Sequence, residues 1–170
     1  MALIPYADED PQDERVTAVL DRLPEPRINL FRMLANAPAM IGPTLRLGEA
    51  ILTKGELDPK LREQVILRTA RLTGSEYEEV QHERIAKLVG VSDDGLDQPA
   101  LKLVDALLAG DGGGTPSPEL VREVEAAIGR AGLLELTLVV GYYAMLGGMM
   151  RTVRIDVDDV VEKGMLDRWQ

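Results

Sequence analysis

The sequence predicts an all-α protein. Apolar residues recur at helical spacing along almost the whole chain, and no convincing alternating strand pattern appears. Helix start and stop signals punctuate that pattern at regular intervals. Aromatic residues make up only 4% of the 170 residues, so the core is built mainly from Leu, Val, Ile, Ala and Met.

The elements follow in order. Pro11 to Leu23 forms a first helix, broken by Leu23-Pro24-Glu25-Pro26. A short helix, INLFRMLANA, covers Ile28 to Ala37 and stops before Pro38. A third covers Met40 to Leu52 and ends near Lys54-Gly55. Asp58 is an N-cap with Pro59 at the first helical position, and that helix runs to about Thr73. Its buried face is read as Leu61, Val65, Ile66, Thr69 and Leu72, with Leu67 and Ala70 on the flank. Gly74 ends it and Ser75 caps the next helix, which runs to about Val89 and closes on Gly90. These two helices make a tight αα-hairpin. Pro99 to Ala109 is a shorter helix, followed by the flexible linker GDGGGTPSP. The linker follows no strand and lacks a Lys-Ser/Thr ending, so it is no phosphate cradle. Ser117-Pro118 opens a helix to about Ala131, and Leu133 to Met150 forms the most apolar one. The small residues Gly141, Gly147 and Gly148 in that last helix point to close helix packing in the core, with a subunit contact as the alternative. The sole tryptophan, Trp169, docks on the body or on another subunit.

Composition excludes several function classes. The formal charge of −10 repels phosphate backbones and anionic lipid, so neither nucleic acid nor a membrane surface is an expected partner. No apolar run approaches the length that spans a bilayer, and the N-terminus lacks the basic start and apolar segment of a secretory signal. The chain is therefore read as cytoplasmic. It contains no cysteine, so thiol chemistry, disulfides and cysteine-held metals are impossible. A single histidine argues against a zinc site, and no metal is expected.

That histidine lies in GSEYEEVQH, residues 74–82. Ser75, Glu78 and His82 are spaced i, i+3, i+7 and share one helix face. Glu63 lies eleven residues before Gly74 and His82 eight after it. At about 1.5 Å of rise per residue, folding the hairpin brings the two within about one turn of each other. Glu63 also sits in line with Leu67 and Ala70, where a carboxylate is costly without a partner. The spacing thus assembles a carboxylate–imidazole–carboxylate cluster that can move a proton near neutral pH. The competing reading is a solvated Glu78–His82 face, with Ser75 as a plain N-cap. Arg68, Arg71 and Arg84 are candidates to anchor an anionic substrate, against a structural or exposed role for Arg68 and Arg71; Tyr142 or Tyr143 are candidates to line its pocket, against a place in the core or an interface.

The runs NLFRMLANAPAMI and LDPKLREQVILRTARLTGSEYEEVQHERIAKLVGVS, with LLELTLVVGYYAMLGGMMRTVRID, resemble the carboxymuconolactone decarboxylase family, which includes the AhpD-like alkylhydroperoxidases. The resemblance implies an AhpD-like helical bundle around a central αα-hairpin. It also implies a single domain over residues 1–170, with a family core at about 29–92 and a C-terminal helical part at about 117–155. In thiol-active members a glutamate precedes a Cys-x-x-Cys pair and a histidine follows it. Glu63 and His82 match the outer pair, while Ser75 and Glu78 stand where the cysteines would be. Alkylhydroperoxidase or peroxiredoxin activity, which the resemblance alone would imply, is a disfavoured alternative because no cysteine is present. The decarboxylase members need no cofactor, so the resemblance implies a cofactor-independent lyase or isomerase acting on a small organic acid or lactone. Glu63, Glu78 and His82 would be catalytic, with Ser75, Tyr142 and Arg84 binding the substrate. It also implies a homo-oligomer: dimer, trimer or hexamer. A non-catalytic binding or assembly protein is the alternative. An open pocket lined by Glu63, Glu78, His82 and Tyr142 or Tyr143 would favour the enzyme, and a closed apolar cavity the alternative.

Overall fold

The computed structural model describes residues 1–91, 98–110 and 113–158. The described residues contain seven helices and no strand: α1 (Glu14–Leu20), α2 (Asn29–Leu34), α3 (Pro38–Thr53), α4 (Pro59–Thr73), α5 (Glu76–Val89), α6 (Pro99–Leu107) and α7 (Pro118–Val153). The described residues are all-helical, as the periodicity of the sequence predicts. Trp169 lies outside the described residues.

The central hairpin forms for local reasons. The Asp58 carboxylate accepts from the backbone N–H groups of Lys60 and Leu61 and so caps α4, whose first residue is Pro59. At the other end Gly74 adopts φ 68°, the left-handed conformation that ends a helix cheaply only at glycine. Its neighbour Ser75 donates its N–H back to the Ala70 carbonyl, which turns the chain straight into α5. α4 then packs against α5, α6 and α7. Val65 and Ile66 of α4 meet Leu103 and Val104 of α6 and Leu136, Val139 and Met150 of α7 in the main core. A second apolar cluster, with Val16, Leu20, Leu34 and Ile41, seats α1 to α3 at one side.

Several expectations are corrected. α1 is shorter than Pro11 to Leu23, because Asp13 caps it at Glu14. Pro38 does not stop a helix but starts α3, where a missing N–H costs nothing. On α4, Leu72 is 47% exposed, whereas Glu63, Leu67 and Ala70 are buried. The hairpin is covered on its flank by α7, so that flank becomes interior. The two helices expected on either side of Ala131 are one assigned helix with a kink at Gly129, at φ 75° and ψ 173°. Gly132 is helical and buried, and the backbone breaks three residues earlier, at Gly129. α7 is also long and apolar enough, by length and composition alone, to cross a membrane, contrary to the sequence reading. Its apolar content is explained in part by burial: Leu136, Val139, Val140, Tyr142, Tyr143, Leu146 and Met150 all face the core. Leu134, Leu138 and Met145 remain exposed.

Gly147 sets the distance between α5 and α7. A Cβ there would lie 2.9 Å from the Ser75 Cβ, a contact that only a backbone shift relieves. Gly147→Ala is therefore expected to lower unfolding stability by about 1–3 kcal/mol. Gly141→Ala, where a Cβ meets nothing within 4 Å, should be neutral or gain up to about 1 kcal/mol from helix propensity. Urea denaturation of the two variants reads the difference, and equal midpoints would refute the tight crossing.

Candidate active site

Three elements bring the ionisable groups together. α4 supplies Arg62 and Glu63, α5 supplies Glu78, Gln81 and His82, and α7 supplies Tyr142 and Tyr143. They line a cavity of about 450 Å³, whose opposite wall comes from α2 and α3 through residues such as Leu30, Phe31, Leu45 and Leu52. Thr53, Pro59 and Leu88 line the cavity and are exposed, which marks its mouth.

The imidazole of His82 is clamped between two carboxylates. Its Nδ1 lies 2.7 Å from Glu63 Oε2, and its Nε2 lies 3.5 Å from Glu78 Oε2. Beside an ionised carboxylate Nδ1 carries the hydrogen and donates it, which leaves Nε2 as the exchangeable position. The ring also meets Tyr143 edge-to-face, with centroids 4.9 Å apart. Glu63 is fully buried and takes a second contact from Arg62 Nε at 3.4 Å. Glu78 and His82 are buried too, so the solvated-face reading is overturned. The register of the hairpin places both inward, where α7 covers them.

Burial and charge set the proton affinities. Burial pulls the His82 pKa down, but the charge and hydrogen bond of Glu63, with Glu78, outweigh it and leave it raised. Burial pushes the Glu78 carboxyl from its ordinary 4.5 up to about 7; His82 opposes that rise and Glu63 adds to it. Tyr142 is pushed up to about 12 by burial, so it is a neutral phenol. Its hydroxyl donates to the Thr44 carbonyl at 3.2 Å.

A carboxyl with a raised folded pKa binds more protons folded than unfolded. Its stabilisation is complete below about pH 4.5 and is lost as pH rises through about 7. The raised His82 acts with the same sign, its share being lost as pH rises above the unfolded value of 6.5. Glu78→Gln removes the first share. The variant should therefore lose less stability than the parent between pH 5 and 8, by roughly 1–3 kcal/mol at the upper end. Denaturation midpoints across that range test this, and parallel curves for the two proteins would contradict a Glu78 carboxyl raised by burial.

The other predicted site residues fare differently. Ser75 shares the helix face of His82 but lies seven residues away, about 10 Å along the axis. It is buried against Gly147, makes no side-chain cap, and does not line the cavity. Arg84 is two residues past His82, about 200° around the helix, and is absent from the lining. Arg68 is spent on Asp105, at 2.6 and 2.9 Å, and Arg71 on Glu79 and Glu83. Sequence reasoning missed Arg62 and Gln81, each adjacent in sequence to a residue it had singled out. Gln81 is oriented by the chain's C-terminal segment. Asp158 accepts from Gln81 Nε2 at 3.2 Å, from the Tyr77 hydroxyl and from Asn29 N–H. Among the described residues, no group of three or more histidines and carboxylates is arranged to hold a metal ion.

Residues 38–101 match the family model described as carboxymuconolactone decarboxylase family. No curated protein and no solved structure matches the chain. The matched segment runs from the start of α3 into α6 and contains Arg62, Glu63, Glu78 and His82, while the two tyrosines that close the cavity lie beyond it. Over that segment, with its buried Glu63–His82 pair and no cysteine beside it, the chain is similar to the carboxymuconolactone decarboxylase family.

Proposed function

We propose that this protein is a cofactor-independent lyase or isomerase that moves protons on a small organic acid or lactone. One observation carries the reading: Glu63, His82 and Glu78 lie together, buried, in the lining of a cavity that opens to the surface. Glu63 fixes the imidazole and keeps it basic. Both His82 and Glu78 hold a proton more readily than they would in water, so near neutral pH the pair can donate a proton and, once it has left, take one back. In an isomerisation, the basic site takes a proton from the carbon beside a carbonyl. The C–H electron pair moves into an enolate, and the acidic site returns a proton to the far carbon of the conjugated system. In a decarboxylation, the C–C bond to the leaving carboxylate breaks, its electron pair enters the enolate, carbon dioxide departs, and the acid protonates carbon. The apolar walls exclude water and strengthen these charge interactions. Thiol-dependent peroxide reduction has no nucleophile in this chain. The same reading includes a homo-oligomer, supported by the exposed apolar residues Leu134, Leu138 and Met145 of α7.

The test is NMR-detected deuterium uptake from solvent into 3-oxo acids, β,γ-unsaturated acids and unsaturated lactones. At least one class should exchange about a hundredfold faster than in buffer. Binding without exchange in every class would replace the enzyme with the non-catalytic binding protein.

A further inference from the structure

We propose that the cavity selects an amphipathic monocarboxylate, and that Arg62 is the residue that holds its carboxylate. This rests on the site reading above, which it narrows to a ligand class.

Among the described residues only two cationic side chains, Arg62 and His82, line the cavity. Both His82 nitrogens already face carboxylates. Arg62 gives Nη1 to the Leu52 carbonyl at 2.9 Å and turns Nε toward Glu63. That leaves Nη2 without an acceptor among the described residues. The Leu52 and Glu63 contacts hold the guanidinium plane in place, so its remaining edge is a pre-oriented donor for an oxygen anion. The side chain is 12% exposed, between the open mouth and the buried Glu63.

The rest of the lining decides what accompanies the carboxylate. Phe31, Leu45, Leu52, Ile85 and Leu146 offer hydrocarbon and no charge. A second carboxylate would find no free cation there and would meet Glu63 and Glu78. Like charges at that distance in a dry site are strongly disfavoured. The size agrees. At about 30 Å³ per water, 450 Å³ is roughly fifteen waters' worth of space, more than a small polar lactone fills. The site therefore takes one negative charge on an apolar body, and an eight-carbon chain fits within it.

The experiment compares three eight-carbon probes by titration calorimetry on the unmodified protein: octanoate, its diacid suberate, and octanol. The single histidine gives one set of imidazole signals, so their displacement shows that a probe is in this cavity. Octanoate should bind at least about tenfold tighter than either relative, and should displace the His82 signals. Affinity should rise about fourfold per methylene from hexanoate to octanoate. Arg62→Gln should bring octanoate down to the level of octanol, and Arg62→Lys should restore part of the difference. Suberate or octanol binding as well as octanoate would overturn the proposal. So would an Arg62→Gln variant that keeps the octanoate preference, or octanoate that leaves His82 undisturbed. Octanoate is unreactive, so this binding series and the deuterium assay fail independently. Exchange without octanoate selectivity sinks the Arg62 anchor alone, and selectivity without exchange sinks the enzyme alone.

Discussion

His82→Gln is expected to slow solvent-proton exchange into substrate by about 10²–10⁴-fold. Glutamine fills nearly the same space and can still donate an N–H to Glu63, but it cannot take up or release a proton near pH 7. The loss should therefore appear in turnover, with ligand affinity little changed, since no cavity wall is removed. In the parent protein the rate should pass through a maximum near neutral pH. It falls on the acid side as the His82–Glu78 pair fills with protons, and on the alkaline side as the last proton leaves. His82 titrates above 6.5 because Glu63 and Glu78 outweigh its burial, so Glu63→Gln should lower that pKa. A His82→Gln enzyme within threefold of the parent would remove the imidazole from the mechanism. The cluster of Glu63, His82 and Glu78 would then be purely structural.

The second large effect concerns stability. Glu63→Ala is expected to cost about 3–5 kcal/mol of unfolding free energy. The Glu63 side chain is fully buried and answers two cations, His82 at 2.7 Å and Arg62 at 3.4 Å. Removing it leaves the buried imidazole and the mostly buried guanidinium without their counter-charge and opens a void beside Leu67 and Ala70. Glu63→Gln keeps the volume and one hydrogen-bond acceptor, so it should cost distinctly less. Asp105→Ala is the control. It breaks the Arg68 pair, whose side chains are 35% and 43% exposed, and water screening should hold the loss below about 1 kcal/mol. Urea denaturation at pH 7 ranks the three variants. Equal losses for Glu63→Ala and Asp105→Ala would mean that the buried cluster does not hold the hairpin to the bundle.

The hairpin was legible before any coordinate. Asp58-Pro59, Gly74 and Gly90 are short-range signals. They act through backbone N–H groups two or three residues away and through the one residue type that tolerates a left-handed turn. Once those ends are placed, helical rise alone puts Glu63 beside His82, and the structure has them 2.7 Å apart. The same local logic places Glu78 one turn before His82. It also excludes thiol chemistry, since no packing can supply a missing cysteine.

What only the tertiary structure decided is which of these groups lose water and which cation remains free. Spacing could not tell a solvated Glu78–His82 face from a buried one, because the cover comes from Tyr142, Tyr143 and Leu146, some sixty residues later on α7. Nor could it choose among the arginines. Arg68 and Arg71 are consumed by Asp105, Glu79 and Glu83, Arg84 is turned away from the cavity, and Arg62 is held at its wall by a carbonyl of α3. Caps and turns are fixed by neighbours along the chain and can be read from it. Burial, and the proton affinities that follow from it, are fixed by whatever packs across the gap, and that depends on how all the helices meet.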